Sequence, residues 1–287
     1  MKIGSIDILK AYLGALELTS SNAFVGTIPV IENGPEPVIY HGLKFTSTGN
    51  STIAMSKNGS APTVDLKYSL NGGKTWTQWD FSAISLTNGQ TVCFKGLNTT
   101  FATGTSDYNN FVMTGSIAAS GNLMSIIDDG ACTTTTIPAN YCFCGMFYDC
   151  TSLTTAPSIL PATTLKDSCY KYMFDGCNSL TTAPELHATV LAPSCCYYMF
   201  YSCTSLTTAP ALPATTLASN CYKGMFYNCT NLNYIKCLAT DISATGCTSN
   251  WVKNVATTGT FVKNASMTGW TTGVKGIPSG WVVQNAA

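Results

Sequence analysis

From residue 142 to residue 232 the chain repeats one pattern of apolar positions four times. Met-Phe recurs at Met146-Phe147, Met173-Phe174, Met199-Phe200 and Met225-Phe226, at successive offsets of 27, 26 and 26 residues. A Cys stands four residues before each Met (Cys142, Cys169, Cys195, Cys221) and three after each Phe (Cys150, Cys177, Cys203, Cys229). A Leu follows at 153, 180, 206 and 232. Within one unit Cys169, Met173, Phe174 and Cys177 occupy relative positions 0, 4, 5 and 8. At about 100° per residue they share an arc of roughly 140°, which predicts a short amphipathic helix. After Cys177 the pattern alternates, with Leu180, Thr182 and Pro184 on one side and Thr181 and Ala183 on the other. Alternation predicts a short strand, and Pro184 ends its capacity to donate to a ladder. A helix and a strand cannot bury an apolar face alone. Stacked copies can, so the pattern predicts a solenoid.

Upstream the period changes. VIYHGLKFTST, STIAMSKNG, VDLKYSLNGGKTWTQW, TVCFKGL and NFVMTGSIAA alternate apolar and polar residues. Asn-Gly, a strong hairpin signal, punctuates them at 58–59, 71–72 and 88–89 and precedes them at 33–34. An antiparallel β-sandwich of Ig-like size is expected over 36–118. The expected fold is therefore mainly β with short helices: a sandwich over 36–118, repeats over 119–246 and a capping module over 247–287. Residues 1–35 form a separate segment.

Composition narrows the function classes. Charged residues make up 10% of the 287, and the net charge is zero. No Lys/Arg run is present, so neither nucleic acid nor an anionic membrane is an expected partner. No apolar run approaches the roughly 18 residues that suggest a membrane span. The start, MKIGSIDILKAYLGALELTSSNAF, lacks a charged stretch leading into an apolar one, so no secretion leader is expected as written. Fourteen cysteines would suit a disulfide scaffold, yet eight of them travel with the apolar repeat. Reduced, buried thiols acting as small hydrophobes are the favoured reading over a disulfide ladder. With no CxxC and only His41 and His187, no metal site is expected. No cofactor-binding loop is present. Both histidines are isolated, and the one adjacent acidic pair, Asp128-Asp129, reads as a loop. No enzyme is expected.

The repeat C-x3-MF-x2-C-x-SL-TTAP-x-LPATTLA resembles the BspA-type leucine-rich repeat of bacterial surface proteins, found in gut Bacteroidetes and their phages. The resemblance spans roughly 132–250 and implies a leucine-rich-repeat solenoid. The segment Cys247–Val283 resembles the capping module of such arrays, with Trp251, Phe261, Trp270 and Trp281 expected to cover the end of the core. IGSIDILKAYLGALEL is similar to short N-terminal segments on tail and other structural proteins of gut phages. SLNGGKTW (Ser69–Trp76) resembles the Asp-box hairpin of sialidases, with Asn71 where the Asp would stand. A single box is expected only to cap its hairpin.

Two surfaces are candidate binding sites. The outward position of the expected helix carries Tyr148, Asp175, Tyr201 and Tyr227, with Tyr197 nearby. Tyrosine suits carbohydrate or protein contact, because its ring stacks while its hydroxyl hydrogen-bonds. The bland alternative is a set of rings shielding the core. The second surface is the threonine array, chiefly Thr181, Thr182, Thr207 and Thr208, a hydroxyl face for glycans or simply soluble strand residues. These resemblances imply a phage virion structural or accessory protein of tail- or head-fibre type. It would hold other virion proteins through 1–35 and a host-surface glycan or protein through the repeats, with symmetric self-association as a further partner. The alternative is a bacterial cell-surface adhesin of the BspA type.

Overall fold

A computed structural model describes residues 39–287, so the attachment segment expected at 1–35 lies outside the described residues. The described part is mainly β with almost no helix, and its C-terminal part is a β-solenoid of about five turns. The upstream part holds eight strands: β1 (Lys44–Ser47), β2 (Ser51–Lys57), β3 (Lys67–Ser69), β4 (Thr77–Gln78), β5 (Ile84–Leu86), β6 (Thr91–Lys95), β7 (Asn109–Thr114) and β8 (Ile117–Ser120). A short 3-10 helix, η1 (Leu123–Ile126), follows. Strands β4-β3-β6-β1-β8 pair antiparallel in one sheet and β5-β2-β7 in another. The alternating segments explain both, since every second side chain turns inward. Phe45 of β1 and Phe94 of β6 meet Phe111 of β7 with ring centroids 5.0 and 5.6 Å apart, which joins the two sheets.

The solenoid follows without a break. Strand β9 (Leu153–Thr155) pairs parallel with β8, so the larger sheet runs into the first coil. Farther along, β10 (Ile159–Leu160) pairs parallel with β11 (Glu185–Leu186). At the far end β12 (Tyr234–Cys237), β13 (Thr260–Lys263) and β14 (Val282–Asn285) form a parallel three-stranded sheet. One continuous apolar cluster extends from Leu43 to Trp281.

The helix expected at each Cys-x3-Met-Phe does not form. The segment is a chain of tight turns with left-handed backbone at every fourth residue: Tyr141, Gly145 and Asp149 in the first coil, then Ser168, Tyr172 and Gly176 in the second. Ser194, Tyr198 and Ser202 follow, then Asn220, Gly224 and Asn228, and Gly246, Asn250 and Asn254 begin a fifth copy. Hydrogen bonds divide by parity. The N–H groups of Ser168, Tyr170, Tyr172, Phe174 and Gly176 donate to the next coil, to Pro193, Cys195, Tyr197, Met199 and Tyr201 carbonyls at 2.8–3.1 Å. The intervening N–H groups of Lys171, Met173, Asp175 and Cys177 donate three residues back within the coil. Carbonyls of Cys169, Lys171, Met173 and Asp175 accept from the preceding coil. Each peptide group along the segment is therefore paired, half of them only through neighbours. A four-residue recurrence lies close enough to 3.6 that the two backbones present the same apolar arc.

The columns follow from this register. Phe111, Phe147, Phe174, Phe200 and Phe226 stack successively at 5.2–5.7 Å, with planes within 10°. All fourteen cysteines are free, and all but Cys132 are buried. The second Cys of each unit does more than fill space. The thiols of Cys150, Cys177, Cys203 and Cys229 donate to the carbonyls of Phe111, Phe147, Phe174 and Phe200 at 2.9–3.1 Å. Trp251 takes the place of Met in the fifth coil, receiving the Phe226 N–H on its carbonyl at 2.8 Å. It stacks on Trp270 at 5.5 Å and donates its indole N–H to Gly276.

Two substitutions check this packing. Phe174→Ala removes the middle ring of the stack and is expected to cost about 3–5 kcal/mol in urea unfolding. Tyr170 is fully buried in an adjacent column with no partner for its hydroxyl among the described residues. Tyr170→Phe is therefore expected to leave stability unchanged or raise it by about 1–2 kcal/mol in the same measurement.

Candidate tyrosine-lined surface

The turn backbone brings together more tyrosines than a helix would. Left-handed positions project Tyr172 and Tyr198 beside the expected outward column, and the two rings lie 5.9 Å apart. Tyr198 contacts Tyr197, Tyr201 and Tyr227 at centroid distances of 4.6, 5.2 and 6.4 Å. Tyr201 stacks on Tyr227 at 5.2 Å. Tyr197, Tyr201 and Tyr227 thus share one half-buried aromatic patch. Tyr148 lies apart from it, edge-on to Tyr108 at 6.1 Å. Glycines make room for the largest rings. A Cβ at Gly224 would fall on the Tyr198 ring, and one at Gly145 on the Tyr108 ring.

Lysines decorate this face. Lys171 Nζ sits 4.5 Å from the Tyr197 ring centre and 5.3 Å from that of Tyr172. Lys223 lies 5.3 Å over Tyr197, and Lys253 5.1 Å over Tyr227. The rings already act as cation seats for the chain's own ammonium groups.

Between Tyr148 and Tyr172 the face opens into a cavity of about 300 Å³, lined by Thr105, Tyr108, Cys144, Gly145, Tyr148, Tyr172 and Asp175. Burial, and then the charge of Asp149, pushes the Asp175 carboxyl up to about 7. Burial, and then Tyr197, pushes Tyr172 up to about 12, so its hydroxyl is a donor at neutral pH. Burial likewise pushes Cys144 up to about 12 and leaves it a thiol rather than a nucleophile.

The threonine array is exposed at Thr181, Thr182, Thr207 and Thr208. Backbone pairing engages much of it: Thr181 donates both its N–H and its hydroxyl to the Thr154 carbonyl, at 2.9 and 3.0 Å. Thr182 pairs with Thr155, and Thr208 with Tyr234.

The other motifs resolve into local structure. In Ser69–Trp76, Asn71 accepts from Ser69 Oγ and from the Thr75 N–H, while Gly73 N–H donates to Ser69 Oγ. The box residues are spent on closing the β3–β4 turn. Asp128 accepts the N–H groups of Cys132, Thr133 and Thr134, and Asp129 pairs with Lys95 at 3.3 Å. Among the described residues no three metal-ligating side chains come together, and no helix is long and apolar enough to cross a membrane. Tyr172, Tyr198 and the three lysines are not legible as one face when outward positions are counted on a helix, and Tyr108 joins it from before the repeat. The recurrence of Gly or Asn every four residues in the last two copies, at Asn220, Gly224 and Asn228 and at Gly246, Asn250 and Asn254, was the available signal.

Comparison with protein-family models, curated proteins and solved structures finds no match for this chain.

The raised Asp175 pKa fixes a sign for pH dependence. Its ordinary value is 3.8, so between there and about 7 the folded state holds a proton that the unfolded chain has lost. This group's contribution favours folding at the acidic end and is lost as pH rises through that window. Urea unfolding across pH 4–7 is expected to show that loss in the native chain, and a flatter profile in Asp175→Asn.

Proposed function

We propose that this chain is a non-enzymatic structural or accessory component of a phage particle, of tail- or head-fibre type. Residues 1–35 attach it to other virion proteins, and the repeats meet a host or mucosal surface. The upstream sheets serve as a spacer of Ig-like sandwich type, and the coils are leucine-rich repeats of the BspA type closed by a C-terminal cap. The observation that carries the adhesive part is the tyrosine face. A row of half-buried rings with hydroxyls and interleaved lysines offers stacking area and hydrogen bonds at little conformational cost. The virion part rests on the similarity of IGSIDILKAYLGALEL to phage structural segments. In this reading the ligand is a surface glycan or protein, held chiefly by Tyr197, Tyr201 and Tyr227, with Tyr148 at the near edge. The exposed threonines form a second, weaker face.

A second reading is favoured by the repeat itself. The Cys-x3-Met-Phe unit resembles that of BspA-type surface proteins, which makes a bacterial cell-surface adhesin the alternative. Mass spectrometry of purified virions from the source sample separates the two. Peptides of this chain are expected to co-purify with the capsid protein at a fixed ratio. Absence from particles, with recovery in the bacterial envelope fraction, would replace the virion reading with the adhesin.

A further inference from the structure

We infer that the cavity between Tyr108, Tyr148 and Tyr172 is a binding site for a small organic cation bearing a methylated ammonium group. This goes beyond the surface-adhesion reading and does not depend on it.

The lining sets the chemistry. Three of its seven residues are tyrosines, and its only carboxyl group is that of Asp175. Neither Lys nor Arg lines it. An aromatic face carries a negative quadrupole, so rings around a cavity attract a cation within about 6 Å of their centres. A methylated ammonium is the cation best matched to such walls. It spreads its charge over apolar methyl groups, gives up little hydration on entry and needs no hydrogen-bond acceptors. The volume, about 300 Å³, admits an ion of choline size.

The acids set the sign. Asp175 is half-buried, and Asp149 stands close enough to perturb it. The raising influences on the Asp175 carboxyl are burial and this second acid, with no hydrogen bond to compensate them. The Asp175 carboxyl, crowded by Asp149 beside an aromatic wall, ionises with difficulty and lacks a counter-charge inside the cavity. A bound cation supplies it, which sets this cavity apart from a stacking platform for a neutral sugar. A neighbouring basic group, Lys171, already rests against Tyr197 and Tyr172. That contact shows that one of the three rings can seat an ammonium, and it names the competitor that the test must control.

The rings are fixed by packing. Tyr108 lies over Gly145, whose positive φ and missing Cβ leave space for the ring. Tyr172 is held between Tyr197 and Tyr198. The walls are thus formed before any ligand arrives, which lowers the ordering cost of binding.

Isothermal titration of the full chain with choline chloride tests the site, with 3,3-dimethylbutan-1-ol as its neutral isostere. Saturable choline binding is expected in the millimolar range or tighter, with the isostere weaker by about tenfold or more. Asp175→Asn, which keeps the shape of the side chain, is expected to weaken choline by about tenfold. Lys171→Ala is expected to leave binding intact or improve it. Because Tyr172→Leu could disturb the fold, tyrosine ring resonances of the unaltered chain are followed by NMR in parallel, and shifts confined to Tyr108, Tyr148 and Tyr172 are expected. Absence of saturable choline binding would overturn the assignment. So would equal binding of the isostere, which marks a merely apolar slot. Full affinity in Asp175→Asn, or binding seen only in Lys171→Ala, would overturn it as well. The last result would mean that the chain's own lysine fills the cavity.

Discussion

The hydrogen-bond ladder between coils is the constraint on which the rest of this structure depends. Alternate N–H groups along each Cys-x3-Met-Phe segment have no acceptor in their own coil and meet carbonyls one coil onward. That demand fixes the register of each segment on the next, while the connecting loops absorb the difference between offsets of 27 and 26 residues. It also sets the side-chain columns, since residues at equal register stack: Phe on Phe, Cys on Cys, Leu on Leu. The buried thiols follow from the same geometry. Each Phe carbonyl accepts one N–H within its coil, as Phe147 does from Cys150, and its remaining lone pair faces the core. A Cys in the next coil fills that space as a small hydrophobe and offers a weak S–H donor to it.

A ladder of this kind needs a first rung. The upstream sheets supply it, and their connection to the solenoid is structural rather than tethered. Phe111 of β7 donates its N–H to the Met146 carbonyl, receives the Cys150 thiol and begins the aromatic stack. Strand β8 pairs with β9 of the first coil. At the other end the same columns close on larger rings, where Trp251 replaces Met and is stacked by Trp270. Every internal coil is thus saturated on both sides, while the sheets and the tryptophans absorb the two ends.

Much of this was legible in the residues. The period, the columns and the inward Cys, Met, Phe and Leu positions could be read from spacing alone, because a core tolerates few residue types. The antiparallel pattern upstream was equally plain from alternation and Asn-Gly turns. The backbone of the repeat was not. Cys at 0, Met at 4, Phe at 5 and Cys at 8 satisfies both an α-helix and a run of four-residue turns, and hydrophobic periodicity cannot separate them. What separates them is the residue at the left-handed positions. Asn220, Gly224 and Asn228 suit positive φ, whereas Tyr172 and Tyr198 conceal it. The same concealment hid half of the tyrosine face, since a helix would have turned those two rings elsewhere. The cavity beside Asp175 was beyond reach for another reason. It joins Thr105 and Tyr108, from before the repeat, to residues of two successive coils.

The direction of the ladder has a mechanical side. Its hydrogen bonds join successive coils, so a pull between the two ends puts the interfaces under one load in series, and they give way one at a time. Each coil that peels away releases about 26 residues, or about 90 Å of extended chain. Pulled apart in this way, the array would lengthen by whole coils and leave those that remain, with their faces, intact.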